Sequence, residues 1–437
     1  MLETIRSIIL DSQEARPDTG VPRRLRIETV PGKATVCVGV RRSGKSTYMH
    51  QVAQRLVDSG ISRQNILHVN LFDDRLHSLR QDNLGLISEA YYSLFPEKKN
   101  TETVHCFFDE IQAVPGWEPF VDRLMRTEKC EVYLTGSSAH MLSKEIATQM
   151  RGRALSWELF PFSFREFLDA RGDGNTGPLS TRRRLLVQKS FDEYWETGGF
   201  PEVTHLGRAL RIKTHQEYLQ AILFRDLVER HDIAHPNAVS DLAHWLVDNT
   251  ASHYSLNSLT NYLKSLGHKL TKSAVSDYLE WFEDAYFLFT VRTYDASLAR
   301  SNVNPKKVYC IDHALVMSTS SGVLVNSGHL LENLVFIALR RLYPNIYYYR
   351  TRGNREVDFV IAARGSARML IQVCESLANP QTRKREVTAL REAMTELALT
   401  AATIVTKNEE EQISVDGKTI DVVPAWRYLL GLPDTVE

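Results

Sequence analysis

The sequence predicts an α/β fold whose first part is a parallel sheet, and two observations support this. Three apolar segments are typical of buried strands, at residues 34–38, 66–71 and 104–108. Between them apolar side chains recur with helical spacing, as at Tyr48 and Val52. Strands that alternate with helices form parallel sheets, because each connecting helix packs on a face of the sheet.

The first strand leads directly into a phosphate-binding loop of the pattern G-x-x-x-x-G-K-[ST]. Glycine lets the backbone approach phosphate oxygens, and the N–H groups of the loop and of the next helix surround the anion. In this pattern Lys45 contacts the β- and γ-phosphates, and Ser46 binds Mg²⁺. We therefore expect ATP and Mg²⁺ as cofactors; the alternative is a glycine turn that binds nothing. The predicted nucleotide-binding residues are Gly39, Val40, Arg41, Arg42, Ser43, Gly44, Lys45, Ser46 and Thr47.

The third strand ends in two acids, Asp109 and Glu110, which is the Walker B pattern. Phosphoryl transfer depends mostly on positioning and electrostatic stabilisation, and two acids at a strand end supply both. Asp109 would hold Mg²⁺ through water, and Glu110 would orient the attacking water. We therefore predict Lys45 and Glu110 as catalytic residues and Ser46 and Asp109 as metal-binding residues.

Five segments of the chain together resemble one family. They are GVRRSGKST, FFDEIQ, LTGSSA, a GR pair followed by PFSFREF, and TGGFPEV. This combination is similar to prokaryotic AAA-like ATPases with a C-terminal DUF4143 domain, which are related to the archaeal ATPase and STAND groups. The resemblance extends from about residue 20 to residue 430. It implies a P-loop NTPase core of the AAA-like type.

The resemblance also implies roles for three further residues. Ser137, with Ser138 as the alternative, would sense the γ-phosphate from the end of the fourth strand. Arg153 would act as an arginine finger in a neighbouring subunit, or else form a salt bridge inside its own domain. Pro201 would lie near the nucleotide and couple a helical lid to it; the alternative is a turn between helices. These roles imply an ATP-dependent homo-oligomer, with six subunits as the expected number.

Four domains are predicted along the chain. An AAA-like ATPase core (1–168) precedes a helical lid (169–235), a winged-helix domain (236–324) and a nuclease-like domain (325–437). The winged-helix prediction rests on three helical segments with Ser255 and Thr271 as caps, followed by two β-rich segments.

A winged helix places its third helix in the major groove of DNA. The candidate DNA contacts are Lys272, Ser273, Ser276, Lys306 and Lys307. The alternative is that this domain serves as a lid or docks another protein, because it carries few basic side chains for contacts with DNA.

The C-terminal segment has the order α-β-β-β-α-β and resembles the PD-(D/E)xK nuclease fold. In active members an acid on the second strand and an acid-x-Lys on the third bind Mg²⁺ and activate water. Asp358 matches the first acid and Glu332 the helix acid, but the third strand has Gln372 and Cys374 where the acid and the lysine belong. We expect this site to hold metal only weakly and not to cleave DNA.

The composition and the cysteine spacing argue against several classes of protein. Lys and Arg together number 53, as do Asp and Glu, so the chain has no strongly basic coat for nucleic acid. The five cysteines form no C-x-x-C pair, which argues against a disulfide framework. No apolar run approaches a membrane span. We expect a cytoplasmic protein without a membrane partner.

These features favour an ATP-hydrolysing, DNA-binding motor or switch protein that remodels branched or junction DNA. One alternative is a STAND-like signalling or assembly ATPase that binds protein partners. The other is an ATP-dependent nuclease, against which Cys374 argues. The choice of DNA as partner is an analogy at the level of the fold.

Overall fold

A five-stranded parallel sheet organises residues 1–160, the first of two units into which the chain divides. Its strands are β1 (Ala34–Val38), β2 (Ile66–Asn70), β3 (Val104–Asp109), β4 (Cys130–Thr135) and β5 (Ala154–Glu158). The strand order is β2-β3-β4-β1-β5. The computed structural model describes residues 1–77, 79, 83–136, 152–174, 180–295, 297, 301, 304–320, 326–363 and 365–435.

Helices connect these strands, as the sequence predicts. They are α1 (Leu2–Glu14), α2 (Lys45–Asp58), α3 (Gly85–Leu94) and α4 (Trp117–Thr127). Short 3₁₀ turns lie at Arg63–Asn65, Asp74–Leu76, Pro96–Lys98 and Ile111–Ala113. Every residue of β1 and β3 is buried, which explains why most of their side chains are apolar; the polar ones are Thr35, His105 and Asp109.

The register of the sheet brings the carboxyl ends of four strands to one edge. Thr135 of β4 is opposite Cys37 of β1, and Asp109 of β3 is opposite Asn70 of β2. On one face of the sheet Phe107 stacks on the ring of Tyr133 at 4.4 Å between ring centroids. The predicted phosphate loop, Walker B acids and end of β4 therefore share one edge.

Residues 161–437 form the second unit, which begins with helices. Its helices are α5 (Phe164–Ala170), α6 (Thr181–Thr197), α7 (Arg208–Ala221), α8 (Pro236–Asp248), α9 (Leu256–Ser265), α10 (Lys272–Asp284), α11 (His313–Thr319), α12 (Ser327–Arg340), α13 (Pro380–Glu396) and α14 (Ala425–Gly431). A 3₁₀ turn at Pro201–His205 precedes α7, and a π-helix at Ile222–Val228 follows it.

The second unit contains a nine-stranded mixed sheet. Its strands are β6 (His253–Tyr254), β7 (Leu288–Thr293), β8 (Lys306–Cys310), β9 (Ile346–Arg350), β10 (Glu356–Ala363), β11 (Ser366–Val373), β12 (Ala401–Thr406), β13 (Glu411–Val415) and β14 (Lys418–Pro424). The strand order is β13-β14-β12-β11-β10-β9-β7-β8-β6. The parallel pairing of β7 with β9 joins the hairpin of the predicted winged helix to the strands of the nuclease-like segment.

Helices α8, α9 and α10 and the antiparallel pair β7–β8 lie in the segment for which a winged helix is predicted, and the winged-helix assignment itself stays a prediction. Both predicted caps form: Ser255 accepts a hydrogen bond from the Ser258 amide, and Thr271 accepts one from the Ala274 amide. Residues 161–168, predicted in the ATPase core, belong to the second unit. One sheet contains strands of both the predicted winged-helix segment and the predicted nuclease-like segment, and the predicted domain boundaries stay predictions.

The TGGFPEV segment lies at the end of α6 and packs within the second unit. The Gly199 amide donates to Asp312 Oδ2 at 2.7 Å, and the Phe162 amide donates to the Gly199 carbonyl at 2.5 Å. Gly198 has a φ of 75°, and a Cβ there would lie 2.3 Å from Asp312 Oδ1. The glycines are therefore needed for close packing against the residue that caps α11. Within the described residues, no helix is long and apolar enough to cross a membrane.

Candidate functional site

The phosphate loop runs from the end of β1 to the start of α2 in the conformation that its glycines permit. Gly39 has a φ of 152°, and a Cβ on it would lie 2.2 Å from the Leu159 carbonyl oxygen. Gly44 caps α2 with a φ of 93°. Any side chain at these two positions would be strained, so the glycines set the shape of the loop.

The ammonium of Lys45 lies within the curve of this loop. Its Nζ donates to the carbonyls of Gly39 and Val40, each at 3.0 Å. The Ser43 hydroxyl is buried and has no hydrogen-bond partner among the described residues. Ser46 is exposed at the first turn of α2. The loop thus offers a cation, an unsatisfied hydroxyl and a helix N-terminus, a donor set that fits a nucleotide phosphate and its Mg²⁺.

The basic segment before β1 supports the loop from outside. Arg23 donates to the Ser43 carbonyl at 2.8 Å and to the Phe160 carbonyl at 2.5 Å. The Gln51 side chain on α2 accepts from the Arg23 amide at 3.0 Å and donates to the carbonyls of Thr19 and Val21. The segment therefore links the loop at Ser43 to α2 and to the chain that follows β5.

Thr135, at the end of β4, connects the two Walker B acids. Its hydroxyl donates to Asp109 Oδ1 and accepts from the Glu110 amide at 3.0 Å. Glu110 has a φ of 53°, which non-glycine residues rarely adopt. Its carboxylate accepts from the Gln112 side chain. Thr135 therefore fixes both the buried Asp109 and the strained peptide that aims Glu110.

The groups around Asp109 are largely neutral. Burial lowers the pKa of His68 to about 4, although the charge of Asp109 acts in the opposite direction. Burial raises the pKa of Cys37 to about 12, against the charges of Lys45 and Arg23. Asp109 is only 4% exposed. Lys45 and the two acids thus supply the charge at this edge of the sheet.

The three residues whose roles the resemblance implies lie in three different situations in the structure. Ser137 and Ser138 lie outside the described residues. Arg153 donates to Asp122 Oδ1 at 3.0 Å, which is the ion pair within the domain that was the alternative to a finger. Pro201 begins a 3₁₀ turn in the second unit. The sensor, finger and lid roles, and the six-subunit oligomer, remain predictions.

Sequence reasoning missed Thr135 as a site residue. The prediction placed the polar residue of β4 two positions later, at Ser137, because the strand was expected to end at Leu134. The strand in fact ends at Thr135. The signal was present in the sequence, since Thr135 is the first hydroxyl after the apolar run.

The predicted nuclease-like residues come together in the second unit. Asp358 Oδ2 accepts from the Val373 amide at 2.9 Å, and Gln372 Oε1 accepts from the Asp358 amide at 3.1 Å. Glu332 and Asp358 are each 6% exposed. Burial raises the pKa of Cys374 to about 12, so this side chain is a neutral thiol. The prediction that Cys374 supplies no cation fits this environment.

Lys307 is not the surface contact that the sequence predicts, and the structure corrects that assignment. Its side chain is 3% exposed, and its Nζ lies 2.6 Å from Glu332 Oε1 and 3.1 Å from Asp358 Oδ1. Alternation along β8 explains the correction, because adjacent residues of a strand face opposite sides. Lys306 is half-buried on the other side.

Burial and charge determine the protonation of this cluster. Burial alone would lower the pKa of Lys307, but the charges of Glu332, Tyr309 and Asp358 hold it well above its usual value. Burial and the charge of Asp358 raise the pKa of Glu332 to about 8. Burial opposes ionisation of Glu356, yet His253 and Lys307 lower its pKa to about 2. Lys307 is therefore charged throughout the neutral range.

The remaining DNA candidates lie where the winged-helix prediction puts them. Lys272, Ser273 and Ser276 are all exposed on the first turns of α10. Four arginines of the C-terminal segment pair with acids. Those ion pairs are Arg350–Glu356, Arg355–Glu392, Arg383–Glu411 and Arg385–Glu386.

Comparison with known families agrees with this architecture. Residues 31–168 match a family model described as an AAA domain. Residues 188–323 match a domain of unknown function, DUF8612, and residues 327–428 match another, DUF4143. Together with the phosphate loop and Walker B acids, the first match defines an AAA-type P-loop ATPase.

Two relatives match nearly the whole chain. The uncharacterized protein MJ1544 of Methanocaldococcus jannaschii is 35% identical over 97% of this chain and 94% of its own length. An uncharacterized protein of Haemophilus influenzae is 27% identical over 90% of this chain and 93% of its own length. The chain belongs to the family of the first relative, AAA-domain ATPases with a C-terminal DUF4143 domain.

Among solved structures, the Walker-type ATPase PABY2304 of Pyrococcus abyssi is similar to this chain at 14% identity. The match covers 72% of this chain and 94% of that chain, with a TM-score of 0.42. This degree of likeness assigns no function.

We predict that Thr135→Val lowers kcat for ATP hydrolysis much more than it changes KM. Valine has a similar shape but lacks the hydroxyl, so the Glu110 amide and Asp109 lose a shared partner. Leaving a buried polar group unsatisfied costs about 1–3 kcal/mol, which thermal unfolding will register. Thr135→Ser keeps the hydroxyl and should restore kcat. A Thr135→Val enzyme with the wild-type kcat would contradict the positioning role.

Proposed function

We propose that the N-terminal unit binds and hydrolyses ATP with Mg²⁺ at the edge formed by the phosphate loop, Asp109 and Glu110. The observation that carries this proposal is the Thr135 hydroxyl, which bonds to both acids beside the loop. Mg²⁺ would neutralise charge on the phosphates when bound. Ser46 and Asp109 would hold it.

Each side chain then has one task in the reaction. Lys45, already inside the loop, balances the charge that develops on the phosphate oxygens. Glu110 accepts a hydrogen bond from the attacking water and orients it. Thr135 and Gln112 keep the Glu110 carboxylate aimed, which lowers the cost of reorganisation during the reaction.

We further propose that the second unit engages DNA through the first turns of α10. The support is the three-helix arrangement with its caps, which leaves Lys272, Ser273 and Ser276 exposed together. An exposed lysine and hydroxyls at a helix N-terminus suit phosphate contacts. Several arginines of the C-terminal segment already pair with acids, so we place the contact on α10. Remodelling of branched or junction DNA would follow from coupling this contact to ATP hydrolysis.

A second candidate function is protein binding by a STAND-like ATPase. The supporting observation is a set of exposed apolar side chains on the helices that follow α5. They are Leu185, Leu186, Leu210 and Phe224, each between 46% and 62% exposed. Where such side chains form one contiguous patch, they mark a surface that docks another protein. The DNA experiment below separates the two candidates.

We predict that Glu110→Gln retains ATP binding but lowers kcat by about 10²–10⁴-fold, the usual contribution of a general base. Lys45, Ser46 and Asp109 are unchanged in this variant, so the affinity for ATP and Mg²⁺ should persist. Steady-state ATPase assays and nucleotide binding by calorimetry measure the two effects. Glu89→Gln, at an exposed position on α3, is the matched control. Turnover by Glu110→Gln at the wild-type rate would remove Glu110 from the mechanism.

We predict that Lys272→Glu weakens DNA binding about equally for all sequences and reduces the salt slope by about 1. Fluorescence anisotropy with duplex, single-stranded and four-way-junction DNA, over a range of salt, measures both quantities. Lys213→Glu, an exposed lysine on α7, makes the same charge change as a control. If the wild type binds none of these DNAs, or if both variants behave alike, the protein-binding alternative replaces the DNA proposal.

A further inference from the structure

A cavity of about 980 Å³ opens beside the predicted nuclease-like residues. Lys307, Glu332, Glu356 and Asp358 line it, and Gln372 adjoins them. The fold family implies a divalent metal ion between Glu332 and Asp358. Whether these residues fit a metal depends on what their oxygens already bind.

The ammonium of Lys307 contacts three carboxylates in this cavity. Its Nζ lies 2.6 Å from Glu332 Oε1, 3.1 Å from Asp358 Oδ1 and 3.1 Å from Glu356 Oε1. The Tyr309 hydroxyl donates to the same Glu332 oxygen at 2.7 Å. A lysine ammonium has three N–H donors; two of them bond to Glu332 and Asp358, the acids expected to hold the metal, and Glu356 forms an ion pair with the same ammonium.

Two further oxygens at the site also accept hydrogen bonds. Asp358 Oδ2 accepts from the Val373 amide, and Gln372 Oε1 accepts from the Asp358 amide. Gln372 Nε2 donates to Glu386 Oε2 at 2.9 Å. Among the described residues, no cluster of three or more histidine, cysteine or acidic side chains is arranged to hold a metal ion. The donor set does not fit the metal that the fold family implies.

We propose that the ammonium of Lys307 permanently replaces the divalent metal ion of the nuclease-like site. Position 374 lacks the lysine of active members, and Lys307 of β8 brings a lysine to the site instead. The role of Lys307 differs from that of the missing lysine. A lysine that assists hydrolysis must direct an N–H at water or at the reacting phosphate, whereas Lys307 directs its hydrogen bonds at the two acids that would hold the metal. A metal about 2 Å from both carboxylates would also lie too close to the ammonium for two cations to share the site.

The position of Lys307 follows from the architecture of the second unit. β8 lies beyond β9 and β7 when counted from β10. Pairing of β7 with β9 fixes the hairpin that carries Lys307, and Tyr309 stacks on Phe336 of α12 at 4.2 Å between ring centroids. The ammonium of Lys307 therefore links the β7–β8 hairpin to the nuclease-like segment. A diffusible metal ion would not make this link, because it is not attached to the hairpin.

The test is Mn²⁺ binding to the full chain without nucleotide, measured from the electron paramagnetic resonance signal of free Mn²⁺. Wild type and Asp358→Asn should bind the same number of Mn²⁺ ions, since the carboxylate of Asp358 serves the ammonium. Omitting nucleotide keeps the outcome independent of ATP hydrolysis. A Mn²⁺ ion that wild type binds and Asp358→Asn loses would overturn the proposal, as would Mn²⁺-dependent DNA cleavage with the same loss.

Removing the ammonium should create the metal site. Lys307→Ala should bind one more Mn²⁺ per chain than wild type, whereas Lys306→Ala, its neighbour on the opposite face of β8, should not. Because buried carboxylates without a partner destabilise a fold, Lys307→Ala combined with Glu356→Gln is a second variant with one acid fewer. A folded variant of either kind that gains no Mn²⁺ would overturn the proposal. If neither variant folds, the comparison of Mn²⁺ binding between wild type and Asp358→Asn tests the proposal by itself.

Discussion

A buried ammonium is stable only if acids surround it, and this constraint ties the second unit together. Lys307 comes from the hairpin of the winged-helix arrangement, whereas Glu332 lies on α12 and Asp358 on β10. Removing Lys307 leaves the buried carboxyl groups of Glu332 and Asp358 without a compensating charge. The hairpin, the helix and the strand are therefore held to one arrangement by electrostatics as well as by the pairing of β7 with β9.

The first unit depends on a different constraint, the alignment of strand ends in a parallel sheet. Register places Thr135 next to β1 and Asp109 next to the end of β2. One hydroxyl at that edge then serves the buried acid and the strained peptide of Glu110. The two units use acids differently: the first leaves them beside a phosphate loop, and the second neutralises them with its own lysine.

Much of the fold was predictable, because it follows from local patterns. The phosphate loop, the Walker B acids, the caps at Ser255 and Thr271 and the strand at Ile346–Arg350 all lie where the sequence predicts. Side-chain partners across the sheet were not predictable, since they depend on pairing between distant segments. Lys307 shows this most clearly: a lysine beside a predicted wing is expected in solvent, and only the β7–β9 pairing and the alternation along β8 bury it.

The central claim is that only one of the two acidic sites in this chain uses a metal ion. Anomalous diffraction from crystals of the full chain grown with Mn²⁺ and a non-hydrolysable ATP analogue tests it directly. The account predicts a manganese peak beside Ser46 and Asp109, with the analogue in the phosphate loop, and none between Glu332 and Asp358. A manganese peak between Glu332 and Asp358, or a phosphate loop that binds no analogue, would contradict it.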